Sequence, residues 1–137
     1  MPKIRFTVSL DEELLQQFDN HINGQSYTNR SEAIRDLIRQ QIISEEWESG
    51  TEVIGSITMV YDHNQRESSK NLTHLQHEYN EDIVSTQHIH IDHDNCLEVV
   101  VVRGGVDRII HLYNALRSSH GVKQCELTKS TTGRYLT

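Results

Sequence analysis

The run V-S-T-Q-H-I-H-I-D-H-D-N-C at residues 84–96 gathers donor atoms that a borderline-soft divalent metal would take. His88 and His90 are two apart, so on an extended strand both imidazoles share a face. Asp92, His93, Asp94 and Asn95 are turn chemistry, which would return the chain so that Cys96 lies across a hairpin near His90. Two nitrogens and a thiolate suit Ni(II), Cu(II), Zn(II) or Co(II), and suit Mg(II) or Ca(II) poorly. His93 is out of phase with the pair and belongs to the turn. Three ligands from one hairpin leave a fourth position. Water there would permit hydrolytic chemistry, and the chain would be a metalloenzyme. A further imidazole would close the site for a structural or sensing role. No H-E-x-x-H or comparable motif supplies the general base that the enzymatic option needs.

Nine histidines in 137 residues is a high count, and His74, His77, His88, His90 and His93 fall in one short window. The length admits one ordinary domain or two very small ones. A hydrophobic content of 35% and an aromatic content of 6% are low for a single large core. They favour two small domains, or a core completed by oligomerisation. The net charge of −7 argues against nonspecific nucleic-acid binding, yet residues 1–10 carry Lys3 and Arg5 and no acid. Cys96 and Cys125 are too few for a disulfide framework, so a reducing, cytoplasmic setting is expected. Cys125 reads as a core residue. No signal segment or apolar run of about 20 residues is visible, so no membrane partner is expected.

At the head of the chain Ile4, Phe6, Val8 and Leu10 alternate with Lys3, Arg5, Thr7 and Ser9, the period of a half-buried strand. A helix is expected from Ser9, with Glu12 completing a capping box and Leu14, Leu15, Phe18 and Ile22 forming its apolar stripe as far as Gly24. A second helix from Thr28 or Asn29 buries Ala33, Ile34, Leu37, Ile38 and Ile42. One strand and two short helices bury too little to stand alone. Pairing the strand antiparallel with that of a second copy resolves this and gives a ribbon on a four-helix base. Such a ribbon fits the major groove of DNA, where Arg5, Thr7 and Ser9 can read base edges beside the cation of Lys3. Asn29, Arg30 and Ser31 at a helix N-terminus suit a phosphate.

The polar stretch S-E-E-W-E-S-G-T at 44–51 places a boundary near Ser49–Gly50, with domains at 1–49 and 50–137. Trp47 reads as an interdomain packing residue. Beyond it, strands are expected at 53–61, 83–91, 96–102 and 122–127, with helices at 65–80 and 106–116. That order, βαββαβ, is the ferredoxin-like arrangement of an antiparallel sheet with both helices on one face. The fold class is α+β. Residues after Lys129 read as a frayed tail.

N-R-S-E-A-I-R-D-L-I-R at 29–39 resembles the second helix of ribbon-helix-helix DNA-binding domains. With Q-H-I-H-I-D-H-D-N-C-L-E at 87–98 following in the second domain, nearly the whole chain resembles the nickel-responsive transcriptional regulators of bacteria and archaea, the NikR family. The resemblance implies an ACT-like regulatory domain and a homotetramer, a dimer of dimers. It implies one square-planar Ni(2+) per subunit, held by His88, His90 and Cys96 of one subunit and by a histidine of a neighbour. That histidine maps to His77 in L-Q-H-E-Y-N, with His74 one helical turn earlier as the fallback. The implied function is repression of nickel-uptake or nickel-related genes through an operator that is an inverted repeat. Glu32 and Asp36 resemble carboxylates that hold a second cation, K+ or divalent, between domains; a solvated helix face is the other reading. Glu98 either orients a ligand or is a solvated sheet residue.

Overall fold

The protein is described here by a computed structural model covering residues 2–49 and 52–137, without the side chains of residues 66–69. Gly50 and Thr51, at the expected boundary, lie outside the described residues. Contacts divide the chain into two units, Met1–Gln40 and Gln41–Thr137. The division falls inside a helix, upstream of the polar stretch that composition marks.

The first unit holds α1 (Glu12–Gly24) and the opening turns of α2 (Arg30–Ser49). The helix start differs from the capping-box expectation. Asp11, extended at φ −62° and ψ 147°, is the N-cap, and Glu12 and Glu13 place negative charge on the first turn, where the helix dipole favours it. Asn29 caps α2 by accepting the Glu32 N–H at 2.9 Å. Ile22 and Ala33 are buried, while Leu14, Leu37 and Ile38 stay about half exposed. Residues 2–10 form no ladder within the chain, and Ile4 and Phe6 are 89% and 65% exposed. The half-buried strand read from the alternation is therefore not half-buried in one chain. A strand needs a partner edge, and this unit contains no other strand among its described residues.

The second unit carries β1 (Glu52–Asp62), α3 (Arg66–Glu78), β2 (Ile83–His90), β3 (Asn95–Gly105), α4 (Val106–Arg117) and β4 (Val122–Lys129). The strands form one antiparallel sheet in the order β2-β3-β1-β4, the ferredoxin-like topology. Alternation sets its faces. Val53, Ile57, Met59 and Tyr61 of β1, and Cys96, Val100 and Val102 of β3, are buried. Val106, Ile109, Leu112 and Leu116 of α4 and Leu72 of α3 complete that core. Glu98 lies on the buried face too, only 7% exposed, so the solvated reading of it is set aside.

Trp47 packs into this unit's core. Its indole N–H donates to the Ser130 carbonyl at 2.9 Å, and its ring lies where a Cβ on Gly55 would meet it at 3.1 Å. The start of the tail is fastened as well, since the Ser130 N–H donates to the Ile54 carbonyl. Fraying was expected there because composition does not register such backbone bonds.

Candidate metal centre

The β2–β3 hairpin is closed by Asp92. Its carboxylate accepts the backbone N–H groups of Asp94 and Asn95 at 2.9 and 2.8 Å, and the Ile91 N–H donates to the Asn95 carbonyl at 2.9 Å. The Asn95 side-chain amide and these two backbone donors hold the Asp92 carboxyl below its ordinary range. The turn fixes the register: His90 sits directly across from Cys96, and His88 across from Glu98. Cys96 Sγ lies 3.4 Å from His90 Nδ1. The next strand brings in a residue that motif reasoning passed over. His63 follows β1, its N–H donating to the Asp94 carbonyl at 3.1 Å, and its Nδ1 lies 3.1 Å from Cys96 Sγ.

Among the described residues, His63, His90 and Cys96 form the one group of three whose ligand atoms all lie within 4.8 Å of one another. His88 stands beside them, its ring centroid 5.0 Å from that of His90, with Nε2 turned to the Tyr61 hydroxyl at 3.3 Å. His77 is exposed near the end of α3 and His74 is exposed one turn earlier; neither joins the group. His93 is an exposed turn residue beside Asp94. His63 was legible in principle. It continues the period-two series of Val53, Ile57, Met59 and Tyr61, which puts it on the face of Cys96.

Burial pushes the Cys96 thiol up, and the charges of Glu98 and Asp92 add to it. Tyr61 is pushed up to about 12, by burial first and then by Glu98 and Cys96. Oε2 of Glu98 has no hydrogen-bond partner among the described residues. A carboxylate buried in this way is costly unless positive charge lies close by. A thiol, clustered imidazoles and an under-compensated buried anion make a site that a soft divalent cation fits.

The residues expected to meet DNA are laid out differently. Lys3, Arg5, Thr7 and Ser9 lie on the exposed N-terminal segment, and Ser31 is exposed. Asn29 is engaged as the α2 cap. Arg30 forks onto Asp19 at 2.9 and 2.8 Å. Glu32 pairs with Arg35, and Asp36 accepts the Tyr27 hydroxyl at 2.5 Å. Both carboxylates of the suggested second cation site thus have partners within the chain.

A helical unit with an unpaired leading segment is thus followed in the chain by a sheet that presents soft metal donors. Residues 54–130 match the family described as the NikR C terminal nickel binding domain, and residues 4–45 match ribbon-helix-helix protein, copG family. Relatives carrying the name nickel-responsive regulator occur in Syntrophus aciditrophicus, 51% identical over 131 residues, and in Pyrococcus abyssi, 50% identical over 137 residues. The alignments cover 96% of both chains in the first case and 99% of both in the second. The chain belongs to the family of nickel-responsive regulators. Its relatives are named as regulators and neither matched domain is enzymatic, so this is not an enzyme. Among solved structures, an uncharacterized protein from Thermotoga maritima superposes with a TM-score of 0.53 at 18% identity, covering 57% of this chain and 96% of the other. That likeness concerns the sheet fold alone. No helix of the described residues is long and apolar enough to cross a membrane.

Proposed function

We propose that this protein is a nickel-dependent DNA-binding repressor of nickel-uptake or nickel-related genes, working as a cytoplasmic homotetramer. The observation that carries the reading is His90 facing Cys96 across a hairpin, with His88 on the same strand face, inside the segment that matches a nickel-binding domain. His88, His90 and Cys96 would supply three donors to one Ni(2+) per subunit. The exposed His77 of a neighbouring subunit would supply the fourth. A bound d8 ion adds a preference for four donors in one plane.

Because one donor comes from another subunit, nickel affinity and quaternary arrangement are linked, and each biases the other. Residues 2–10, unpaired in one chain, would pair with the same segment of a second chain. Arg5, Thr7 and Ser9 would then face base edges, with Lys3 beside them and Asn29, Arg30 and Ser31 near the phosphates. The expected operator is an inverted repeat with one half-site per pair of heads. Glu32 and Asp36 would take a second cation, K+ or divalent, after releasing Arg35 and Tyr27. The test is a nickel titration of the full chain followed jointly by absorption and by operator binding. The thiolate charge-transfer band and operator affinity should rise together. Tight operator binding in chelator, unchanged by nickel, would sink the sensing role.

A further inference from the structure

His77 and Tyr79 stand two residues apart at the end of α3, a spacing that sends their side chains to opposite sides of a helix. Tyr79 is buried and His77 is exposed, so whatever seats the tyrosine also turns the histidine outward. The seat is built by α4 and by the segment before β2. The Arg108 guanidinium lies over the Tyr79 ring, 4.9 Å from its centroid, and the Tyr79 hydroxyl lies 3.4 Å from Nδ1 of His111. Arg108 Nε donates to the Asp82 carboxylate at 2.7 Å, and Asp82 is only 7% exposed. Backbone bonds fasten Asp82 in turn. Its N–H donates to the Tyr79 carbonyl at 2.9 Å, and its carbonyl accepts the Arg103 N–H at 2.8 Å. A Cβ on Gly104 would stand 2.6 Å from Asp82 Oδ1, so the glycine keeps room for that carboxylate.

We infer that Arg108, locked by Asp82 across the ring of Tyr79, is a positioning residue for nickel: it fixes the last turn of α3 and so presents His77 to the neighbouring subunit before metal arrives. The inference rests on the reading above of His77 as the donor shared between subunits. Among the described residues of α3 and its cap, only Leu72 and Tyr79 are buried, so the turn that carries His77 is anchored chiefly by the tyrosine. A guanidinium is attracted to an aromatic face, and its bond to a buried carboxylate is charge-assisted. Together these hold the ring down and Arg108 in place above it. A donor that must meet a metal on another chain loses affinity in proportion to the time its turn is out of place. Arg108 thus acts through Tyr79 and not on the metal.

Ni(II) alone, titrated into the full-length chain, tests this with Arg108→Gln, Arg108→Lys, the pair Arg108→Gln/Asp82→Asn, and His77→Gln. The pair removes both charges, which separates a fold disturbed by an uncompensated Asp82 from the lost clamp. Both variants lacking the guanidinium should bind nickel about tenfold more weakly, as for a turn in place about a tenth of the time, yet reach the wild-type nickel–thiolate band at saturation. Arg108→Lys, which keeps a cation on the ring, should lose less. In metal-free protein, the amides of residues 75–82 should exchange faster with deuterium when the guanidinium is gone. Added to His77→Gln, Arg108→Gln should cost no further affinity, measured by competition for the nickel that His88, His90 and Cys96 still hold. A merely structural role would cost the same in either background. Unchanged affinity in either variant lacking the guanidinium, or an equal loss with His77 already removed, overturns the inference. If His77→Gln binds nickel as tightly as wild type, the shared-donor reading fails and takes the inference with it, an outcome distinct from loss of the Arg108 effect alone.

Discussion

Glu98 sets the charge of the site. One of its oxygens has no hydrogen-bond partner among the described residues, and its negative charge helps raise both Tyr61 and Cys96. Those effects have opposite consequences for metal binding. The anion favours a cation nearby, but it also keeps the proton on the thiol that must lose it to become a ligand. Glu98→Gln preserves shape and removes the charge. Nickel affinity at neutral pH should fall by about tenfold, the scale typical of groups that support ligands. In metal-free protein the same change should speed alkylation of Cys96, because its thiolate forms more readily. Competition with a metal indicator and site-resolved mass spectrometry measure the two. Cys125 is the internal control: burial pushes it up to about 11, and its labelling should not respond.

At the scale of elements, the hairpin and the sheet order were legible in the sequence because their signals are local and periodic. H-x-H alternation followed by a D-H-D-N turn gives the register that puts His90 opposite Cys96. For His63 the alternation of β1 gives only the face, and its closeness to Cys96 depends besides on the β1–β3 register, which joins residues far apart in sequence. The helix cap shifted from Ser9 to Asp11 because several polar residues in succession can start a helix. Trp47 shows the same limit, since its hydrogen bond to Ser130 spans most of the second unit. Gly55 is the tight point of that packing. A Cβ there would lie 2.8 Å from the Thr128 carbonyl oxygen as well as 3.1 Å from the indole. Gly55→Ala should therefore destabilise the second unit by about 1–3 kcal/mol, read from chemical denaturation followed by Trp47 fluorescence.

In the first unit, Arg30 beside Asp19 holds the Asp19 carboxyl below its ordinary value, chiefly through their hydrogen bond. A carboxyl lowered in the folded state stabilises fully above its unfolded pKa, and the contribution is lost as pH falls through the folded value. Helical circular dichroism of the wild type should thus weaken in acid, below about pH 4. Asp19→Asn should lack that step and match acidified wild type at neutral pH. The effect should be small, since both partners are substantially exposed.

At the scale of the molecule, the sharing of donors between subunits can be tested without a structure of the complex. Cys96→Ser leaves a chain that can still offer His77 but cannot complete its own hairpin. His77→Gln leaves the reverse. Each alone should show no square-planar nickel–thiolate band. If the variants are unfolded, mixed in equal amounts and refolded together, a hairpin from the His77→Gln chain can receive His77 from the Cys96→Ser chain. With random, reciprocal pairing across a twofold interface, about a quarter of sites become complete, because half the pairs are mixed and each mixed pair restores one site of two. The band should return to about that fraction of the wild-type amplitude. Nickel-dependent operator binding should recover less than the band does, because one tetramer needs several sites filled to hold both heads in one arrangement. A His77→Gln protein that keeps the full band alone, or a mixture that restores none, would place all the ligands within single chains, whereas a Cys96→Ser protein that keeps the band would remove Cys96 from the site.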